Sequence, residues 1–131
     1  MEKHIQCNYQ ANIDSIENEQ KIVNETIVNI YERFMNEKNK NNMDYALEVL
    51  HMYRYVPNKY VIPAGRYVRY IDTGNHQDMK LRLGGFVTND NGYSFTYKSS
   101  DKFVKVNKKH CIVFQSITSN EHIRVLASDI E

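Results

Sequence analysis

Between Leu81 and Lys98 the chain reads LRLGGFVTNDNGYSFTYK, two alternating apolar runs joined by Asn91-Gly92, with Gly84-Gly85 interrupting the first. Period-two alternation describes a half-buried strand, and Asn-Gly between two such runs signals a type I′ hairpin turn. A glycine pair inside a strand weakens it unless the strand bulges or bends there. The segment therefore predicts a strongly bent antiparallel hairpin, the corner piece of a small β-barrel, with Leu81 and Leu83 turned inward.

The rest of the C-terminal half repeats this grammar. KYVIP, RYVRYID, MKLRL, YSFTYK, FVKV, CIVFQ and HIRVLA are short, β-branched or aromatic, and separated by turn residues such as Pro63-Ala64-Gly65. Six or seven strands within about 70 residues favour a small barrel over a sandwich. Tyr67, Leu81, Leu83, Phe95 and Phe114 are its candidate core positions.

Upstream the period is helical. Ile13, Ile16, Gln20, Val23, Ile27, Ile30 and Phe34 fall on alternating three- and four-residue steps. Asp14 with Glu17 has the spacing of a capping box, so a long helix is predicted from Asp14 to Glu37. The polar run EKNKNN (37–42) reads as its terminating loop. A shorter helix should follow, with Met43, Leu47, Leu50 and Tyr53 on one face and Pro57 as its limit. The predicted fold is thus α+β: a helical region over 1–56, one helix long, then an SH3-like antiparallel β-barrel over 57–131.

The seam Ile16, Val23, Ile27, Ile30, Phe34 has heptad spacing and is a candidate interaction surface. β-Branched residues at its d positions disfavour a parallel dimer, pointing to a higher or antiparallel homo-oligomer, or to burial within the chain.

Charge is balanced overall at +1 but unevenly spread. Residues 1–54 hold six Lys/Arg against nine Asp/Glu, and 55–131 eleven against seven. Dedicated nucleic-acid domains are usually far more basic. No apolar run approaches the roughly 18 residues of a membrane span, so no membrane partner is expected. MEKHIQCNYQ lacks the apolar stretch of a signal peptide, which predicts a protein that is not secreted. Cys7 and Cys111 belong to no CxxC pair, consistent with free thiols in a reducing compartment.

Motifs for chemistry are weak. Gly84-Gly85 lacks the spacing of a phosphate loop, and aligning Gly92 with a calcium loop puts Val87 and Lys98 at ligand positions. His110 and Cys111 are strand neighbours pointing to opposite faces, so they form no dyad, and Cys111 reads as a core residue. His76 and Asp78 share a polar loop and read as a solvated turn. No strand face pairs two carboxylates as hydrolytic chemistry would require. The expectation is a protein that is not an enzyme and uses no metal or cofactor.

One constellation has binding chemistry. Arg66, Arg69, Tyr70, Lys80 and Arg82 place basic groups among tyrosines on neighbouring strands. Such groups can track a phosphate backbone and stack bases of RNA or DNA. They equally cover a half-exposed sheet.

The stretch 59–117, with RYVRYID, LGGF (Leu83 to Phe86) and a closing strand ending in Phe114, resembles a small β-domain of uncharacterised proteins from nucleocytoplasmic large DNA viruses, especially mimivirus relatives. Asn, Ile, Lys and Tyr make up 48 of the 131 residues, an AT-rich codon signature that agrees with such a source. The resemblance implies a viral accessory or virion protein, in the host cytoplasm or the virion, that acts by binding. The leading expectation is a non-catalytic adaptor or virion-associated structural protein with a viral or host protein partner. The alternative is a nucleic-acid-binding module.

Overall fold

In a computed structural model, the description covers residues 2–117, with side chains from residue 14 onward. Two helices, α1 (Glu2–Glu32) and α2 (Glu37–Val49), precede six strands: β1 (Tyr53–Val56), β2 (Tyr67–Asp72), β3 (Leu81–Asp90), β4 (Ser94–Ser99), β5 (Lys102–Asn107) and β6 (Cys111–Ser116). A 3₁₀ turn, Lys108–His110, joins β5 to β6. The fold is α+β, as expected. All strand pairs are antiparallel, in the order β1-β6-β2-β3-β4-β5.

The sheet is open. β1 and β5 are its edges and share no ladder, so no barrel closes among the described residues. It is nonetheless strongly curled, because Val56 of β1 packs in one cluster with Phe95 and Tyr97 of β4, while Val104 and Val106 of β5 lie against it. That concave core also holds Ile62, Val68, Val87, Cys111 and Val113. On the opposite face Val23, Ile27 and Tyr31 of α1, with Ala46 of α2 and Leu50 at its end, meet Ile71, Met79 and Phe114. Helices and sheet therefore share a core, and burying a large apolar side chain in it contributes about 1.5–3 kcal/mol.

The bends come from β3. Against β2, Val68 pairs with Gly85 and Tyr70 with Arg82, so Leu83 and Gly84 together oppose Arg69. Gly84 sits at φ +64°, and a Cβ there would collide with the Val68 carbonyl. Only glycine fits that bulge. A second extra residue, Thr88, lies between the Val87–Tyr97 and Asn89–Thr96 pairs. The predicted bend at Gly84-Gly85 is present and the hairpin turns at Asn91-Gly92, but Gly92 alone in that turn has positive φ (+92°). A type I′ turn needs two such residues, so the turn is not of that type. The Asn91 side chain instead accepts from the amides of Tyr93 and Ser94.

Several boundaries differ from expectation. α1 begins at Glu2 and ends at Glu32, so Asp14 is mid-helix and Phe34 lies beyond the helix. The EKNKNN run is not a loop but the start of α2, because Asn36 caps it by accepting from the Asn39 amide (2.8 Å). Residues 53–56, expected on the second helix, form β1 because pairing Tyr53–Val56 with Val113–Ser116 outcompetes local helical spacing. The sheet thus begins inside the segment expected to be helical. Tyr60–Ile62 of KYVIP is loop, and HIRVLA lies outside the described residues. Leu83 is 70% exposed rather than core. It shares the face of Leu81 but lies past the cover of the helices.

Candidate functional site

The five basic and tyrosine positions do not gather on one surface. Arg69 is 9% exposed, turned toward the helices, with its guanidinium 5.8 Å from the ring centre of Tyr45 on α2. Tyr70 points the other way into the concave core, where its hydroxyl meets that of Tyr97 at 3.1 Å. Burial, with the Tyr97 bond adding, pushes the Tyr70 phenol well above its ordinary pKa. Arg82 is exposed and faces Asp72 (3.6 Å), while Lys80 faces Asp78 at the same distance. Arg66 is half-buried at the approach to β2. The predicted groove is split between two faces, because β2 alternates and the bulge shifts β3 against it.

The candidate seam on α1 is mostly internal. Val23 and Ile27 are fully buried under α2 and the sheet, Ile16 and Ile30 are partly covered, and Phe34 stacks on His76 with ring centres 4.0 Å apart. Ile27→Glu would therefore disrupt the core itself, so it cannot report on self-association. His76 does not pair with Asp78, whose carboxylate takes the Asn42 amide (2.9 Å) and is held below the usual carboxylate range chiefly by that bond.

What remains open is the helix-side face of β3, β4 and β5. The ladder places Tyr67, Phe86, Lys98 and Phe103 in one row across β2 to β5. Tyr67 and Phe86 meet edge to face with centroids 5.1 Å apart, and the Lys98 ammonium lies 5.9 Å from the centre of Phe103. Phe86 is 58% exposed and Phe103 65%, with Leu83 beside them and its carbonyl accepting from the Tyr67 hydroxyl (3.0 Å). α1 and α2 cover the β1, β6 and β2 side, and no described residue covers this row. Clustered exposed apolar side chains of this kind mark interaction sites. Of the side chains that alternate onto this face of β4 and β5, the charged ones are Lys98 and Lys105. Sequence reasoning missed the row because it placed Leu83 inside and did not carry the pairing across four strands.

Cys111 is buried, as expected of a core residue. Burial, with the nearby Asp72 carboxylate, pushes its thiol up to about 12. At pH 8 native Cys111 in a Cys7→Ser background should react with an alkylating reagent roughly three orders of magnitude more slowly than a free thiol. Mass spectrometry of the labelled chain reads this, and rapid native labelling would contradict the packing of β6. Among the described residues, no group of three His, Cys, Asp or Glu side chains is placed to hold a metal ion. No helix among them is long and apolar enough to cross a membrane. No family model, curated protein or solved structure matches the chain.

Proposed function

We propose that this protein is a non-catalytic binding module, an adaptor or virion-associated structural protein in the viral setting the resemblance implies. In this reading the curled sheet works as an SH3-like platform. The 3₁₀ turn that returns β6 to β2 supports that description. The observation that carries the reading is the uncovered Tyr67–Phe86–Lys98–Phe103 row with Leu83 beside it. Its partner is a polypeptide segment with apolar anchors and acidic flanks, complementary to the rings and to Lys98 and Lys105. Nucleic acid is the less favoured partner, since Arg82 and Lys80 are already paired with carboxylates and Arg69 is buried.

Selection of a displayed peptide library against the protein tests this. Peptides combining aromatic or aliphatic anchors with Asp or Glu should be enriched. Phe86→Ser with Phe103→Ser should weaken their binding at least about tenfold, since each lost anchor is worth about 1 kcal/mol or more. Both rings are exposed, so the double change should alter stability by at most about 1 kcal/mol, as single surface changes move it by about 0.5 kcal/mol. Enrichment insensitive to both changes, or binding with the steep salt dependence of phosphate contacts, would remove the reading.

A further inference from the structure

The β3–β4 turn, the loop after β1 and the β5–β6 connection enclose a cleft of about 570 Å³, away from the aromatic row. Small-molecule sites typically occupy about 300–1,000 Å³. Among the described residues no Asp or Glu lines this cleft, whereas Lys59, Lys108 and Lys109 do. Lys108 is neutralised within the floor, 7% exposed, with its ammonium 2.7 Å from Asp90 Oδ2 and 2.6 Å from the Tyr60 carbonyl. Lys59 and Lys109 are exposed and form no ion pair with a described residue. Two lysines thus line a space whose nearby carboxylates, Asp72 and Asp90, are paired with Arg82 and Lys108.

The walls are fixed. Tyr93 donates its amide to Asn91 Oδ1 (2.9 Å) and accepts from the Lys108 amide (2.9 Å), so its backbone is held on both sides while its ring stays 72% exposed. Lys59 is held at φ +70°, and the Lys109 amide donates to Asn107 Oδ1 (2.9 Å). Cys111 and Ile112 of β6 border the cleft at the back. An exposed phenol ring stacks planar groups and two lysines take a dianion.

We infer that this cleft binds a nucleotide phosphate, with the base against Tyr93 and the phosphate between Lys59 and Lys109. The inference is independent of the peptide-binding face, and either can fail alone.

The test is a nuclear magnetic resonance titration with AMP, adenosine and inorganic phosphate as separate probes. AMP should give saturable shifts at Gly92, Tyr93 and Lys109, and bind more tightly than either fragment. Lys59→Gln with Lys109→Gln should weaken AMP at least about tenfold, because both charge-assisted contacts to the phosphate are lost. Tyr93→Ala should weaken AMP while leaving phosphate unchanged. All three side chains are exposed, so the variants fold. Competition by a short 5′-phosphorylated oligonucleotide separates a strand terminus from a free nucleotide, and either source supports the inference. No saturable shift at millimolar AMP, phosphate binding as tightly as AMP, or AMP affinity untouched by the lysine pair would overturn it.

Discussion

Asp90→Ala is expected to be the most destabilising single substitution at any polar position described, by about 3–5 kcal/mol. The Asp90 carboxylate is completely buried, and three donors, one of them charged, depend on it. Its Oδ2 accepts from the Lys108 ammonium and from the Ile62 amide, each at 2.7 Å, while Oδ1 accepts from the Gly92 amide at 2.7 Å. Removing it leaves a buried ammonium with only the Tyr60 carbonyl, and two amides without an acceptor. The segments it joins are the β1–β2 loop, the β3–β4 turn and the 3₁₀ turn, which hold the curl of the sheet together. Lys108→Met should cost less, because the remaining carboxylate still accepts from two amides. Replacing both residues by apolar ones should recover part of the loss, since the desolvation of both charges then disappears. Arg82→Ala, at an exposed pair, should change stability by at most about 1 kcal/mol. Urea denaturation of the four variants reads the order, and equal effects for Asp90→Ala and Arg82→Ala would contradict the burial.

The second large effect is expected at Asn39. This side chain is fully buried at the start of α2. Its Nδ2 donates to the carbonyls of Phe34 (2.6 Å) and His76 (2.8 Å), and its Oδ1 accepts from the Met79 amide (2.9 Å). One amide thus ties the α1–α2 connection to the β2–β3 loop. Nearby, the Tyr31 hydroxyl donates to the Met79 carbonyl, and burial pushes that phenol well up, so it stays a donor. Asn39→Leu keeps the volume but leaves three backbone groups buried and unpaired. Each costs about 1–3 kcal/mol, so a total loss of about 3–4 kcal/mol, near the low end of that sum, is expected. Tyr31→Phe, which orphans a single carbonyl, should cost about 1–2 kcal/mol. A melting series reads both, and an Asn39→Leu chain as stable as wild type would mean that the loop does not dock on α2.

The hairpin was legible because its devices are local: alternation, an Asn-Gly turn and a glycine pair that a bulge requires. Phe95 and Phe114 were legible as core for the same reason. Leu83 was not, since its exposure depends on how far α1 and α2 reach across the sheet, which no local pattern encodes. Tyr53–Val56 has helical spacing with the residues before it, yet forms a strand because β6 offers it a partner distant in sequence. The asparagine-rich run 37–42 reads through composition as loop, whereas Asn36 just before it is a helix cap and Asn39 within it a buried clasp. The basic and tyrosine positions fall on two faces for a related reason. Counting basic groups along strands ignored which were already paired, and the exposed row emerges only from register carried over four strands.

The measurement that bears most directly on the binding face is chemical-shift mapping of the labelled protein with a selected acidic, apolar peptide. The shifts should centre on Leu83, Phe86, Lys98 and Phe103, spread to Tyr67 and Lys105, and vanish in the Phe86→Ser, Phe103→Ser chain. Shifts confined to the helices or to the Tyr93 cleft, with β3 to β5 unmoved, would contradict it.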